Sequence, residues 1–174
     1  MFFVGSNQNG TITGSSTVTV DQDGPCNNVD IDEFFCGGNY ADFIGNIDAT
    51  ISCSNDLQVR NLYGGCNLAN VVDDPETTDV HEGNIHLKVY GGVFENVYGG
   101  SKGLIVEDDP DTPEDESLNS ISADIEGNIV LDIFGGTIDT VFGGSNVNGN
   151  VFGNITVNIF DLDHYPCGLT VHNV

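Results

Sequence analysis

One short motif recurs five times along the chain, and this repetition constrains the fold more than any other feature of the sequence. In each copy an apolar residue and an aromatic residue come directly before a turn of small residues. Self-similarity at intervals of a few tens of residues predicts a repeat architecture, in which each repeat packs only against its neighbours. The aromatic residues are then expected to form one column, made of Phe3, Phe35, Tyr63, Tyr98 and Phe142.

A second motif lies between the copies of the first and alternates like a strand with one buried face. It begins at Gly45, Gly83, Gly127 and Gly153, each followed by Asn, and the segment from Gly14 is the same with Ser in place of Asn. Stacking these segments predicts three columns. The columns are Ser16, Ile47, Ile85, Ile129 and Ile155; Val18, Ala49, Leu87, Leu131 and Val157; and Val20, Ile51, Val89, Ile133 and Ile159.

Two further short strands complete each repeat. The strand before the aromatic-Gly turn stacks Ile31, Val59, Phe94 and Ile138, and the strand before the Gly-Asn corner stacks Ile12, Phe43, His81, Ile125 and Val151. Three short strands per repeat, joined by Gly-rich corners, predict an all-β fold. We expect a parallel β-solenoid, or β-helix, of about five coils that forms a single domain over residues 1–174.

Two columns of side chains mark the corners of this predicted solenoid. The amides of the corner asparagines are expected to form a structural ladder, because an Asn side chain can hydrogen-bond to the coils above and below it. These residues are Asn46, Asn84, Asn128 and Asn154. The aromatic column has two interpretations, a stacked ladder inside the protein or an exposed strip on which sugars stack.

Two acidic segments interrupt the repeat, near residues 71–82 and 103–124. They resemble each other and are expected to leave adjacent coils at equivalent corners, side by side. Clustered carboxylates suit Ca²⁺, the one cofactor that the sequence suggests, but neither segment has the residue order of an EF-hand or a calcium-loaded β-roll. The alternative is a pair of solvated loops. The candidate ligands are Asp73, Asp74, Glu76, Asp79, Glu107, Asp108, Asp109, Asp111, Glu114 and Asp115.

The charge of the chain argues against several classes of partner. Of 174 residues, 27 are acidic and only 3 are Lys or Arg, which gives a formal net charge of −24. Binding to nucleic acid or to an anionic membrane surface needs clustered Lys and Arg, and no stretch approaches the roughly 20 apolar residues of a membrane span. Cations, basic surfaces or neutral glycans are the partners we expect.

The chain has five cysteines and no Cys-x-x-Cys pair, which argues against a zinc or thioredoxin-type site. The repeat alignment brings Cys26 near Cys53, and Cys36 near Cys66, at matching corners of neighbouring coils. Both pairs are therefore candidate disulfides if the compartment is oxidising, with Cys167 left over. In the alternative interpretation all five remain thiols.

Few residues could support catalysis. A β-helix polysaccharide lyase commonly uses a basic residue as proton acceptor, and the only Lys and Arg residues are Arg60, Lys88 and Lys102. Motifs of the HExxH and P-loop types are absent from the sequence. We therefore expect no enzyme, and keep a carbohydrate-active β-helix enzyme as the alternative.

The first and last residues fall at the same phase of the repeat, because Val174 aligns with Val141 and Phe2-Phe3 would continue the motif. Two hypotheses fit this match. Either the chain is a segment of a longer repeat protein and packs against flanking repeats, or identical chains associate end to end into a fibre.

The pattern from Gly127 to Ser145 (Gly-Asn-Ile-x-Leu-x-Ile-Phe-Gly-Gly-x-Ile-x-x-Val-Phe-Gly-Gly-Ser) resembles repeats in large adhesin-like surface proteins of anaerobic gut or rumen bacteria. This resemblance covers almost the whole chain. It implies a right-handed parallel β-helix that is exported to the cell surface. The expected function is then a non-catalytic, extracellular stalk, fibre or binding surface that contacts glycans or a host surface.

Overall fold

A computed structural model describes residues 1–14, 16–20, 29–54, 56–77, 81–111, 115–160 and 166–174. These residues form fourteen β-strands and one short 3-10 helix (Glu116–Asn119), so the fold is all-β, as the sequence predicts. The strands are β1 (Phe2–Phe3), β2 (Ile12–Thr13), β3 (Ser16–Val20), β4 (Val29–Phe35), β5 (Phe43–Ile44), β6 (Ile47–Ile51), β7 (Leu57–Tyr63), β8 (Val71–Val72), β9 (Ile85–Val89), β10 (Val93–Tyr98), β11 (Ile129–Ile133), β12 (Gly136–Phe142), β13 (Ile155–Ile159) and β14 (Leu169–Asn173).

The largest sheet has six parallel strands in the order β1-β4-β7-β10-β12-β14, which takes one strand from each successive repeat. Its register pairs Ile31 with Val59, Val59 with Phe94, and Phe94 with Ile138. The predicted column along this sheet is therefore confirmed.

The second sheet has five parallel strands in the order β13-β11-β9-β6-β3. Its register reproduces all three columns predicted from the Gly-Asn segments. Ile47, Ala49 and Ile51 are buried, whereas Asp48 and Thr50 between them are partly exposed. Alternation at every second residue therefore buries one face of this sheet and leaves the other to solvent.

The third sheet is short, with the order β2-β5-β8, and isolated bridges extend it to Ile125 and Val151. The predicted place of His81 in this column is wrong. Val71 pairs with Phe43 and bridges to Ile125 there and is fully buried, whereas His81 is exposed. An apolar β-branched side chain can be buried in this column without a partner, whereas a buried imidazole would need hydrogen bonds.

Apolar side chains from all three sheets pack into one buried cluster. Phe43 comes from the third sheet, Leu87 from the five-stranded sheet, and Leu62 from the six-stranded sheet. Because each repeat contributes the same positions, the core is a continuous set of columns that runs through every repeat.

Candidate functional site

The corner asparagines form the ladder that the sequence predicts. Asn46 Oδ1 accepts hydrogen bonds from the backbone N–H of Asn84 (3.0 Å) and from its Nδ2 (2.8 Å). Asn128 makes the same two contacts to Asn84, at 2.9 and 3.1 Å, and the backbone N–H of Asn154 donates to Asn128 Oδ1 at 2.8 Å. Each side chain thus satisfies a backbone donor of the next repeat at a corner.

A second amide ladder, which the sequence analysis missed, follows the aromatic-Gly turns. Asn39 Nδ2 donates to Asn7 Oδ1 at 2.8 Å, and Asn67 Nδ2 donates to Asn39 Oδ1 at 2.7 Å. The three residues follow equivalent turns in successive repeats. Their recurrence in the sequence is the pattern that could have revealed them.

A third, mixed ladder joins Asp42, Asn70, Asp124 and Asn150. The backbone N–H of each later residue donates to the side-chain oxygen of the one before it, at 2.8, 2.8 and 2.7 Å. Burial alone would raise the pKa of Asp124. Hydrogen bonds from the Ser122 hydroxyl and from Asn150 outweigh burial, and the pKa lies below the usual value for Asp.

The aromatic column is a stacked ladder inside the protein. Neighbouring ring centroids lie 5.1, 4.5, 4.9 and 4.8 Å apart along Phe3, Phe35, Tyr63, Tyr98 and Phe142. The three central rings are buried and form a cluster of their own, apart from the main core. The internal interpretation is therefore confirmed, and these three rings cannot serve as an exposed strip for sugars.

A shorter aromatic ladder, also missed in the sequence, joins Tyr90, Phe134 and Phe160 with centroid separations of 4.5 and 4.7 Å. Each ring follows a strand of the five-stranded sheet directly, at equivalent positions in three repeats. The sequence shows an aromatic residue after three of the five Gly-Asn strands, and this regularity could have predicted the ladder.

Two polar contacts beside the long aromatic ladder join repeats that are separated by one intervening repeat. Asn146 Nδ2 donates to the Tyr63 hydroxyl at 3.0 Å, and burial raises the pKa of Tyr63 to about 12 despite this hydrogen bond. Lys102 Nζ lies 2.5 Å from Glu33 Oε1, and the Glu33 side chain is almost completely buried. These contacts hold side chains that would otherwise be candidates for chemistry.

All three Lys and Arg residues contact carboxylates. Arg60 lies 2.8 Å from Asp32, Lys88 lies 2.9 Å from Asp48, and Lys102 contacts Glu33 as above. A lyase base must be free to reach its substrate, whereas each of these three groups is in contact with a carboxylate. The structure therefore gives each basic residue a role between repeats.

A row of charged residues crosses the outer surface of the six-stranded sheet. Each strand from β4 to β14 contributes one residue, which lies between the residues that pair with the neighbouring strands. The row consists of Asp32, Arg60, Glu95, Asp139 and His172. Arg60 contacts Glu95 at 3.9 Å as well as Asp32, and His172 Nδ1 lies 2.9 Å from Asp139 Oδ1. This row is not evident from the sequence, because its members differ in residue type.

A shallow cavity of about 230 Å³ opens beside this row. Asp30, Gln58, Arg60, Val93 and Glu95 line it. Its polar side chains offer hydrogen bonds to a polar molecule. The geometry therefore allows a small polar molecule to bind at this surface.

The two acidic insertions leave opposite ends of the short strand column, and the expectation that they leave equivalent corners is wrong. The first follows Val71–Val72, which form β8, whereas the second comes before Ile125, and Val71 and Ile125 are bridged to each other. The second insertion is closed by an antiparallel bridge between Leu104 and Ile121. Val71 and Val72 therefore belong to the repeat and not to the first insertion.

Several carboxylates of the insertions accept hydrogen bonds from nearby backbone N–H groups. Asp73 Oδ1 accepts from Glu82 at 2.6 Å, and this hydrogen bond lowers the pKa of Asp73, assisted by His81. Asp74 accepts from Glu76 at 2.9 Å, and Asp108 accepts from Glu116 at 3.1 Å. These carboxylates stabilise turns of the loops themselves.

No group of three or more His, Cys, Asp or Glu side chains within the described residues could hold a metal ion. Of the candidate calcium ligands, Asp79 and Glu114 lie outside those residues. The structure therefore does not bring the other candidates together, and calcium binding stays a prediction.

The disulfide of this chain joins Cys53 to Cys167, 114 residues apart. The predicted pairing of Cys53 with Cys26, which lies outside the described residues, is therefore wrong, and Cys167 is not left over. The bridge passes beside Gly91, where a Cβ atom would lie 2.7 Å from Cys167 Sγ and 2.9 Å from Cys53 Cα. Glycine at this corner leaves the space that the disulfide needs.

The predicted Cys36–Cys66 pairing is also wrong, because both are buried thiols at different register positions. Phe35 pairs with Tyr63, so Cys36 lies opposite Gly64, while Cys66 Sγ accepts from the backbone N–H of Gly38 at 3.2 Å. The backbone N–H of Cys66 also donates a hydrogen bond to Ser101 Oγ at 3.0 Å, which ties Cys66 to the next repeat. Burial raises the pKa of both thiols, to about 12 for Cys66.

Comparison of the chain with protein-family models, with curated proteins and with solved structures finds no match. Within the described part of the chain, no helix has the length and apolar character that crossing a membrane requires.

Proposed function

We propose that this chain is a non-catalytic structural or adhesive module, a right-handed parallel β-solenoid of about five coils. The observation that supports this most is the use of its polar side chains. The three polar ladders join each repeat to the next through Asn84, Asn39 and Asp124, among others. A chain whose corner residues are engaged in this way is built to maintain a regular surface.

The paired basic residues support a scaffold over a lyase. Lys88 and Arg60, the strongest candidates for a catalytic base, each contact a carboxylate on a neighbouring strand. A side chain held in such a contact is not free to approach a substrate as its base.

The proposed location is outside the cell or on its surface. A disulfide is typical of an oxidising compartment, and Cys53–Cys167 is such a bond. The resemblance to adhesin-like repeats favours the same location. The formal net charge of −24 favours neutral glycans or basic surfaces as partners.

The proposal is tested by incubating the purified chain with a panel of acidic and neutral polysaccharides. Retention on each immobilised glycan and formation of unsaturated lyase products are followed together. We expect no product with any glycan, whether or not one is retained. Turnover that disappears in a folded Lys88→Met or Arg60→Met variant would overturn the proposal and favour the lyase.

A further inference from the structure

We propose that the outer face of the six-stranded sheet binds a neutral oligosaccharide, which lies across β4, β7 and β10 in the cavity beside Arg60. The inference rests on the proposed function, because it assigns a ligand and a binding site to that scaffold. The cavity is a feature of inner repeats, since β7 at its centre pairs with β4 on one side and with β10 on the other.

The outward side chains of these strands form two parallel columns. In the first column, Asp30 pairs with Gln58, and Gln58 pairs with Val93. The second column is the charged row described above, to which Arg60 belongs. These residues alternate along their strands with inward residues such as the buried Val59, so their side chains lie on the solvent side. One small area of surface therefore combines a carboxylate, an amide, a guanidinium group and an apolar side chain.

This mixture of groups matches the chemistry of a sugar ring. Sugar hydroxyl groups both donate and accept hydrogen bonds. Asp30 can accept them, Arg60 can donate them, and Gln58 can do both. The C–H groups of the ring can pack on Val93, which is 41% exposed. The cavity volume of about 230 Å³ lies below the ~300–1,000 Å³ of pockets for drug-sized ligands, so the cavity suits a small unit such as one sugar ring.

The guanidinium group of Arg60 is held in place before any ligand arrives. Its Nη2 lies 2.8 Å from Asp32 Oδ1, and its Nε lies 3.9 Å from Glu95 Oε2. The side chain of Arg60 is nevertheless 60% exposed. The two carboxylates therefore fix the direction of the group while a ligand can still reach it, which reduces the conformational entropy lost on binding.

The charges around the cavity favour an uncharged ligand. A cationic ligand would be repelled by Arg60 and would compete with it for Asp32 and Glu95. An anionic glycan would approach a chain with a net charge of −24. A ligand with many hydroxyl groups and no charge avoids both penalties.

The polar surface continues beyond the cavity in the direction in which the repeats are stacked. On β12, Thr137 pairs with Val93, and Asp139 continues the charged row. Neighbouring strands lie ~4.8 Å apart, which is close to the length of one sugar unit. A glycan that runs in this direction therefore meets two outward side chains for each unit, and an oligosaccharide should bind more tightly than a single sugar.

A titration of the isotope-labelled full chain, followed by nuclear magnetic resonance, tests the proposal. The probes are neutral tetrasaccharides of glucose, xylose, mannose and galactose, the corresponding monosaccharides, and tetralysine as a cationic peptide. We expect one or more tetrasaccharides to bind, more tightly than the monosaccharide, with the largest shift changes at Gln58, Arg60 and Val93. Binding of tetralysine at this face, with no binding of any neutral tetrasaccharide, would overturn the proposal.

Two variants and a matched control locate the site. Gln58→Ala and Arg60→Ala should each weaken binding by roughly tenfold, because each removes hydrogen bonds to the ligand. Lys88→Ala is the control, because it also removes a cation that contacts a carboxylate, but on the five-stranded sheet, and it should bind like the wild type. Circular dichroism checks the fold of each variant. Gln58→Ala leaves the ion pairs of Arg60 intact, so it remains informative if Arg60→Ala unfolds.

Three outcomes would overturn the proposed site: no binding of any neutral tetrasaccharide, shift changes confined to another face, or equal losses of affinity in Arg60→Ala and Lys88→Ala. None of them overturns the proposed scaffold, because that proposal fails on turnover of a glycan and not on loss of binding.

Discussion

Removal of the Cys53–Cys167 disulfide should lower the stability of the folded chain substantially. The bond closes a loop with a sequence separation of 114 residues. In the chain-entropy model, a loop of this length reduces the entropy of the unfolded chain by an amount equivalent to about 5 kcal/mol at 25 °C. For a protein of this size, that loss corresponds to a decrease in Tm of roughly 10–20 °C.

The measurement is thermal unfolding of the wild type, with and without reductant, beside a Cys53→Ser/Cys167→Ser double variant. We expect reductant to lower the Tm of the wild type to that of the variant and to leave the variant unchanged. The buried thiols Cys36 and Cys66 are the same in both proteins and serve as an internal control. A decrease of less than about 3 °C would refute the reasoning, because it would mean that the loop is not constrained in the unfolded chain.

Three further predictions concern the ladders and the insertions. Asn84→Ala should lower the free energy of unfolding, measured with denaturant, by roughly 1–3 kcal/mol, because two donors of Asn128 lose their acceptor. Asn154→Ala at the end of the ladder should lower it much less. Equal losses would contradict a role for the ladder. The pKa of Asp124 is lowered by folding, so its stabilising contribution is present above the usual Asp range and is lost as pH falls through the lowered value. Asp124→Asn, which mimics the protonated acid, should therefore be less stable than the wild type at pH 7 and equally stable once the pH falls below the lowered pKa, as measured by denaturant unfolding at both pH values; a difference in stability that does not change with pH would contradict this. Millimolar Ca²⁺ after EDTA treatment should change the Tm by less than about 1 °C, because carboxylates such as Asp73 accept backbone hydrogen bonds; a larger rise would establish a calcium site in the insertions.

Recurrence in the sequence was enough to predict the register of the five-stranded sheet. The same residue type returns at Asn46, Asn84 and Asn128, and the apolar alternation beside them admits one alignment only. A shift by one residue would turn every buried side chain outward. This is why the columns of the five-stranded sheet and the asparagine ladder are confirmed together.

Prediction failed where residue types change or where an insertion interrupts the repeat. Val71 and His81 lie on either side of the first insertion. The spacing to the Gly-Asn corner favours His81 for the column, because His81 is nearer to that corner. Asp42 and Asp124 share a ladder with two asparagines. The change of residue type hides this column in the sequence, because its members have in common only a side-chain oxygen that accepts a hydrogen bond. Cys167 follows a stretch that matches no other repeat, so the sequence assigned it no neighbour.

The covalent link between Cys53 and Cys167 has a mechanical consequence. Hydrogen bonds between parallel strands lie along the direction in which the repeats are stacked, so tension on the two chain ends would peel repeats away one after another. The bond bypasses the 114-residue separation between its cysteines, which hides about 400 Å of contour length from extension. In a pulling experiment, the maximum extension of the oxidised chain should therefore be shorter than that of the reduced chain, because the disulfide limits how far the chain can be stretched.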